Sequence, residues 1–162
     1  LYGFTMASDR EHVWYSEVAI GHVGSFNTRT RKFEDSVLLS ENSGPRRIAM
    51  GDDDVLYVAL YGSGQLLAYD TKAHRQIGVF DLPDRASAPY ATTWDPVRKV
   101  VWIPTSNADV IYKFDPATRA ITALPRRAGW IGAALAGVVH DAVEPLQLRI
   151  LAKRVDGKLQ QP

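Results

Sequence analysis

Apolar residues along this chain come in short runs and not at helical spacing. Val13-Trp14-Tyr15, Leu56-Tyr57-Val58-Ala59-Leu60, Leu66-Leu67-Ala68-Tyr69 and Val101-Trp102-Ile103 are rich in β-branched and aromatic residues. Polar clusters containing Asp, Gly or Pro bound them. Runs of this kind predict strands. No stretch keeps apolar residues at i, i+3 and i+4 through three turns, so no helix is predicted.

The runs recur. The aromatic–Asx pairs Phe26-Asn27, Tyr69-Asp70 and Phe114-Asp115 lie 43 and then 45 residues apart. Working back from each pair, Trp14, Tyr57 and Trp102 fall at one place, as do the segments opening at Leu1-Tyr2, Pro45-Arg46 and Pro89-Tyr90. Each unit divides into four short strands. The fourth strands are expected over Lys32–Val37, Gln76–Phe80 and Ala120–Leu124. Four strands in about 40–45 residues is the period of a β-propeller blade. The chain is therefore expected to be all-β, with three four-stranded blades at about 1–44, 45–88 and 89–129. Residues 130–162 keep the pattern poorly and read as a divergent partial blade or tail. Trp14, Tyr57 and Trp102 are expected to pack between neighbouring blades.

Three blades fall short of the 4–8 that usually close a ring. The expectation is a piece of a six- or seven-bladed ring, or a chain that closes its ring by association, for example as a homodimer. The opening Leu1-Tyr2-Gly3 carries no visible leader. A periplasmic, extracellular or cytoplasmic location all stay open.

Composition narrows the partners. Nineteen Lys and Arg against 18 Asp and Glu leave a net charge of +1, which argues against a nucleic-acid binder that works through a basic field. The first two units are slightly acidic and the third slightly basic, too little to name a partner. There is no Cys, hence no disulfide and no thiolate metal site. No apolar run is long enough to span a bilayer.

Several motifs resemble a known family. Leu1-Tyr2-Gly3-Phe4, Val13-Trp14-Tyr15-Ser16-Glu17, Ser43-Gly44-Pro45, Ala88-Pro89-Tyr90-Ala91 and Phe114-Asp115-Pro116-Ala117-Thr118 are similar to the blade motifs of streptogramin lyases, also called virginiamycin B lyases. NHL and gluconolactonase-like propellers use similar blades. The resemblance implies a seven-bladed propeller that opens a cyclic depsipeptide antibiotic by elimination at its ester. It also implies a His base directly after a blade-opening Pro and a magnesium ion near Glu side chains. The positions matching the His are Tyr2, Arg46 and Tyr90; none is His. Those matching the Glu are Glu17, Leu60 and Thr105, so Glu17 is the one candidate for a catalytic or metal-binding carboxylate. Magnesium is expected only if the family chemistry is retained.

Two functions stay open. One is a propeller that binds a small molecule or a protein on its face. The other is a lyase whose catalytic blade is missing or altered. For the first, Tyr2, Arg46 and Tyr90 are the candidate ligand residues. They would line one rim of the channel, where an Arg between aromatics suits an anionic or planar ligand. His12 and His74 are expected in turns at the surface. His22 lies at the edge of a third strand, and His140 in the divergent tail near Asp141 and Glu144. Asp52-Asp53-Asp54 reads as a hairpin turn before it reads as a cation loop. Arg126-Arg127 reads as a surface connector.

Overall fold

A computed structural model describes residues 1–125 of the chain. The expectations for Arg126-Arg127, His140 and residues 130–162 lie outside the described residues. Three four-stranded antiparallel sheets follow one another. The first holds β1 (Phe4–Met6), β2 (His12–Glu17), β3 (His22–Asn27) and β4 (Lys32–Leu38). The second holds β5 (Pro45–Met50), β6 (Val55–Leu60), β7 (Gln65–Asp70) and β8 (Arg75–Asp81). The third holds β9 (Thr93–Asp95), β10 (Val100–Pro104), β11 (Val110–Asp115) and β12 (Ala120–Pro125). Strands pair in chain order within every sheet. This is the all-β blade array that the repeat predicts. Three blades alone do not show a closed ring. Two short 3₁₀ turns, Val18–Ile20 and Arg85–Ser87, are the only helical segments among the described residues, and the strand pattern gave no sign of them.

The aromatic–Asx pairs repeat for a physical reason. Asn27 Oδ1 accepts from the amides of Arg29 and Thr30. Asp70 Oδ1 accepts from those of Lys72 and Ala73, and Asp115 Oδ1 from those of Ala117 and Thr118. Each side chain thus caps the turn into the fourth strand. The turn then ends on a left-handed residue: Arg31, His74 and Arg119 have φ of 57°, 49° and 61°.

Blades are held together by two apolar cores. One joins Ala7, Trp14 and Val23 of the first blade to Ile48, Leu56, Val58, Leu60, Leu67 and Tyr69 of the second. The other joins Tyr57, Leu66, Ala68 and Leu82 of the second to Val101, Ile103, Tyr112 and Phe114 of the third. Side chains alternate across a strand. On β6, Leu56, Val58 and Leu60 therefore meet the first blade, while Tyr57 meets the third. A blade sandwiched on both faces must be apolar at nearly every position, which is why β6 and β7 read as unbroken runs. Trp14 and Tyr57 pack between blades as expected: Trp14 lies 5.6 Å from Tyr69, and Tyr57 stacks on Trp94 at 5.8 Å. Trp102 occupies the same register position but is only half-buried.

Candidate functional site

The three inner strands meet where the blades open. β5 touches β1 and β2 on one side and β9 on the other. Pro45 and Pro89, both fully buried, fix the start of their segments. Pro45 faces Leu60, and Pro89 bridges Thr105. Between Pro45 and Ile48 the β5–β6 register shifts, with an extra residue on β5. Such a bulge re-aims a side chain, and here it falls on Arg46-Arg47.

Both neighbours pin the bulge. Ser16 Oγ donates to the Arg46 carbonyl at 2.5 Å and accepts from the Gly3 amide at 2.9 Å. Thr92 Oγ1 lies 3.3 Å from the Arg47 carbonyl and 2.9 Å from that of Tyr57. The Arg47 amide donates to the Tyr90 carbonyl at 3.4 Å. Hydroxyls from the first and third blades thus hold the backbone beneath Arg46.

Tyr2, Arg46 and Tyr90 come together above it. The Arg46 guanidinium carbon lies 5.3 Å from the Tyr2 ring centroid and 5.1 Å from that of Tyr90. A third ring, Tyr61, lies closer still, at 3.6 Å. A cation over aromatic faces is attracted by their negative quadrupole. Arg46 Nη1 donates to Tyr2 Oη at 3.3 Å, and Tyr2 Oη donates to Tyr90 Oη at 2.6 Å. The hydrogen bond to Tyr90 is the main cause holding the Tyr2 phenol above its ordinary pKa. Accepting that bond lowers the Tyr90 pKa, and the nearby Arg47 and Arg46 charges lower it further. Arg46 Nε is buried without a hydrogen-bond partner. Neither Arg46 nor Arg47 has a carboxylate partner among the described residues.

Sequence reasoning missed Tyr61. It sits one residue past β6, on the hairpin into β7, where blade periodicity marks nothing. A faint signal was its position directly after Leu60, the counterpart of Glu17.

Glu17 stands apart from this cluster in its bonding. Its carboxylate pairs with His22 Nδ1 at 2.7 Å, and His22 Nε2 lies 2.9 Å from Ser36 Oγ. His22 is buried within its own blade. No group of three or more His, Asp or Glu among the described residues is placed to hold a metal ion.

The remaining His and Asp candidates act between strands and blades. His12 begins β2, whereas the sequence suggested a surface turn. It is half-buried and clasped by Asp9 at 2.5 Å and Glu34 at 2.8 Å. The expectation fails because Asp9 caps the preceding turn through the Glu11 and His12 amides, which lets the ladder start at His12. His74 lies in its turn as expected, with Nδ1 2.5 Å from Asp35 of the neighbouring blade. Asp52-Asp53-Asp54 forms the turn expected of it. Asp54 accepts from the Ser8 amide at 2.8 Å and pairs with Lys72 at 3.0 Å. Asp52 accepts from Trp94 Nε1 at 2.7 Å and pairs with Lys99. These groups line inter-blade clefts of about 370 Å³ and 510 Å³.

With the fold and this cluster defined, the chain can be set beside known proteins. No protein-family model and no curated protein matches it. Solved structures do. Virginiamycin B lyase from Staphylococcus aureus is similar with a TM-score of 0.69 and 20% identity, over 78% of this chain and 41% of that one. A streptogramin B lyase gives 0.69 and 18%, over 76% of this chain and 40% of that one. Hydrazine synthase from Kuenenia stuttgartiensis gives 0.67 and 20%, over 75% and 34%. At these identities the likeness is one of fold. The described blades have the β-propeller fold of these structures, and the chain spans about two fifths of the length of the lyases it matches.

Proposed function

We propose that this chain is a ligand-binding propeller segment whose site is the rim formed by Tyr2, Arg46, Tyr61 and Tyr90. Arg46 is the clamp, and it takes an anionic, flat group of a small molecule or a protein. The observation that carries the reading is a guanidinium stacked on Tyr61 and flanked by two further rings, with no carboxylate partner among the described residues. A cation held by a converging backbone, with no counter-ion among the described residues, suits an anionic ligand. Arg46→Ala should weaken binding of an aryl carboxylate about tenfold to a hundredfold, the worth of a charge-assisted hydrogen bond. Titration calorimetry on folded wild type and variant reads this. Equal affinities would end the clamp reading.

A second reading is retained for one observation, the likeness to virginiamycin B lyase. In it, the protein eliminates across the ester of a cyclic depsipeptide antibiotic with the help of magnesium. Tyr2, Arg46 and Tyr90 stand where that reading wants a His, so its base would come from outside residues 1–125. Mass spectrometry of a streptogramin B incubated with the protein and magnesium tests it. A linear product abolished by EDTA is the expected result; recovery of intact antibiotic removes the reading.

A further inference from the structure

At the rim, hydrogen-bond donors run in one direction and end without an acceptor among the described residues. Arg46 Nη1 donates to Tyr2 Oη, and Tyr2 Oη donates to Tyr90 Oη. A phenol carries one proton and accepts through its oxygen. Tyr90 has accepted, so its own O–H remains to be given. No described residue accepts it. The arrangement joins three blades: Tyr2 from the first, Arg46 from the second, Tyr90 from the third.

We infer that the Tyr90 hydroxyl is the donor that contacts the ligand, that Tyr2 positions and polarises it, and that the ligand group is a planar carboxylate on a flat, conjugated body. This rests on the rim-binding reading above. Successive hydrogen bonds polarise one another, so a donor at the end of a chain starting from a guanidinium is stronger than an isolated phenol. The lowered pKa of Tyr90 agrees with that direction of donation. The Arg46 guanidinium, over the Tyr61 ring, attracts carboxylate and phosphate alike, so the choice between them falls to the rings around it. The rings of Tyr2 and Tyr90, edge to face at 6.2 Å, offer apolar surface to the body that carries the carboxylate. The charged and titratable groups at the rim are Arg46, Arg47, Tyr2, Tyr61 and Tyr90.

Benzoate, methyl benzoate and inorganic phosphate are the probes, titrated into the full chain by calorimetry. Benzoate should bind at least tenfold more tightly than the other two. Tyr90→Phe should lose about tenfold for benzoate and Tyr2→Phe less. Wild-type affinity should fall at alkaline pH as Tyr90 ionises and its donated proton is lost. Tyr90→Phe should flatten that fall. If Tyr90→Phe does not fold, the ¹³Cζ resonances of labelled wild-type tyrosines give the same answer, because Tyr90 must shift on adding benzoate. Benzoate binding that needs Arg46 but is unchanged in Tyr90→Phe, or an unshifted Tyr90 resonance, overturns the donor and leaves the clamp standing. Phosphate binding as tightly as benzoate overturns the carboxylate. Benzoate binding unaffected by Arg46→Ala overturns the clamp itself.

Discussion

Gly3 lies where the first and second blades come closest. A Cβ there would sit 2.7 Å from the Arg46 carbonyl and 3.0 Å from the Arg47 Cα, both backbone atoms with little room to give. Gly3→Ala should cost about 1–3 kcal/mol in a urea melt, the usual penalty of overpacking. It should also weaken anion binding, because the carbonyl it displaces is the one Ser16 holds. A variant that melts earlier but binds normally would show that the rim tolerates movement of its floor. A second prediction concerns pH. Hydrogen bonds donated by the His12 ring to Asp9 and then Glu34 raise the His12 pKa. A raised folded-state pKa stabilises the fold below the unfolded value, about 6.5, and that stability is lost as pH rises through the folded value. For Asp9, burial pushes the carboxyl up, but the His12 and Glu11 amides outweigh it and bring it to about 2. Its contribution is present above about pH 4 and is lost as pH falls toward 2. The Tm should therefore fall on both sides of a maximum in mildly acid solution, and His12→Gln should remove the loss on the alkaline side. The residues of the rim were legible in part. Tyr2, Arg46 and Tyr90 stand out as one column of an aligned repeat. Tyr61, Ser16 and Thr92 reach the site through hairpins and neighbouring blades, which no linear spacing records.

Strands differ in how far their sequence announces them. β6 is apolar throughout because both its faces meet another blade, and Leu56 and Val58 are fully buried. Leu56→Ala should cost about 2–5 kcal/mol, while Val97→Ala in an exposed turn should stay within about 0.5 kcal/mol. Equal effects on the urea midpoint would mean that the first inter-blade core contributes little. The fourth strands could be placed from their turns, since the Asx caps set where each begins. The inner strand of the third blade was less legible. Its sequence pattern opens at Pro89-Tyr90, yet the ladder starts only at Thr93. The Tyr90 amide donates to the Pro104 carbonyl at 2.9 Å, but Pro104 has no N–H to return, and the Tyr90 carbonyl is taken by the Arg47 amide of the preceding blade. A proline on the facing strand thus interrupts the ladder, and regular pairing begins at Thr93 opposite Trp102.

Taken as a whole, the described molecule is a series of repeats in which the first two blades bury their central aromatic against the blade that follows. Trp14 is 2% exposed and Tyr57 4%, whereas Trp102 keeps an open side. Architecture was readable because a register error of one residue would turn every such aromatic outward. Ligand chemistry was less so, because it depends on three blades converging. The uneven fate of the aromatic column gives the protein an intrinsic optical gauge. Trp102 should contribute red-shifted fluorescence open to acrylamide, and Trp102→Phe should remove part of the quenchable signal. Anything that docks on the outer side of the third blade, whether another blade or another molecule, should shift that emission to the blue. Attachment at that flank can thus be followed in solution without a label.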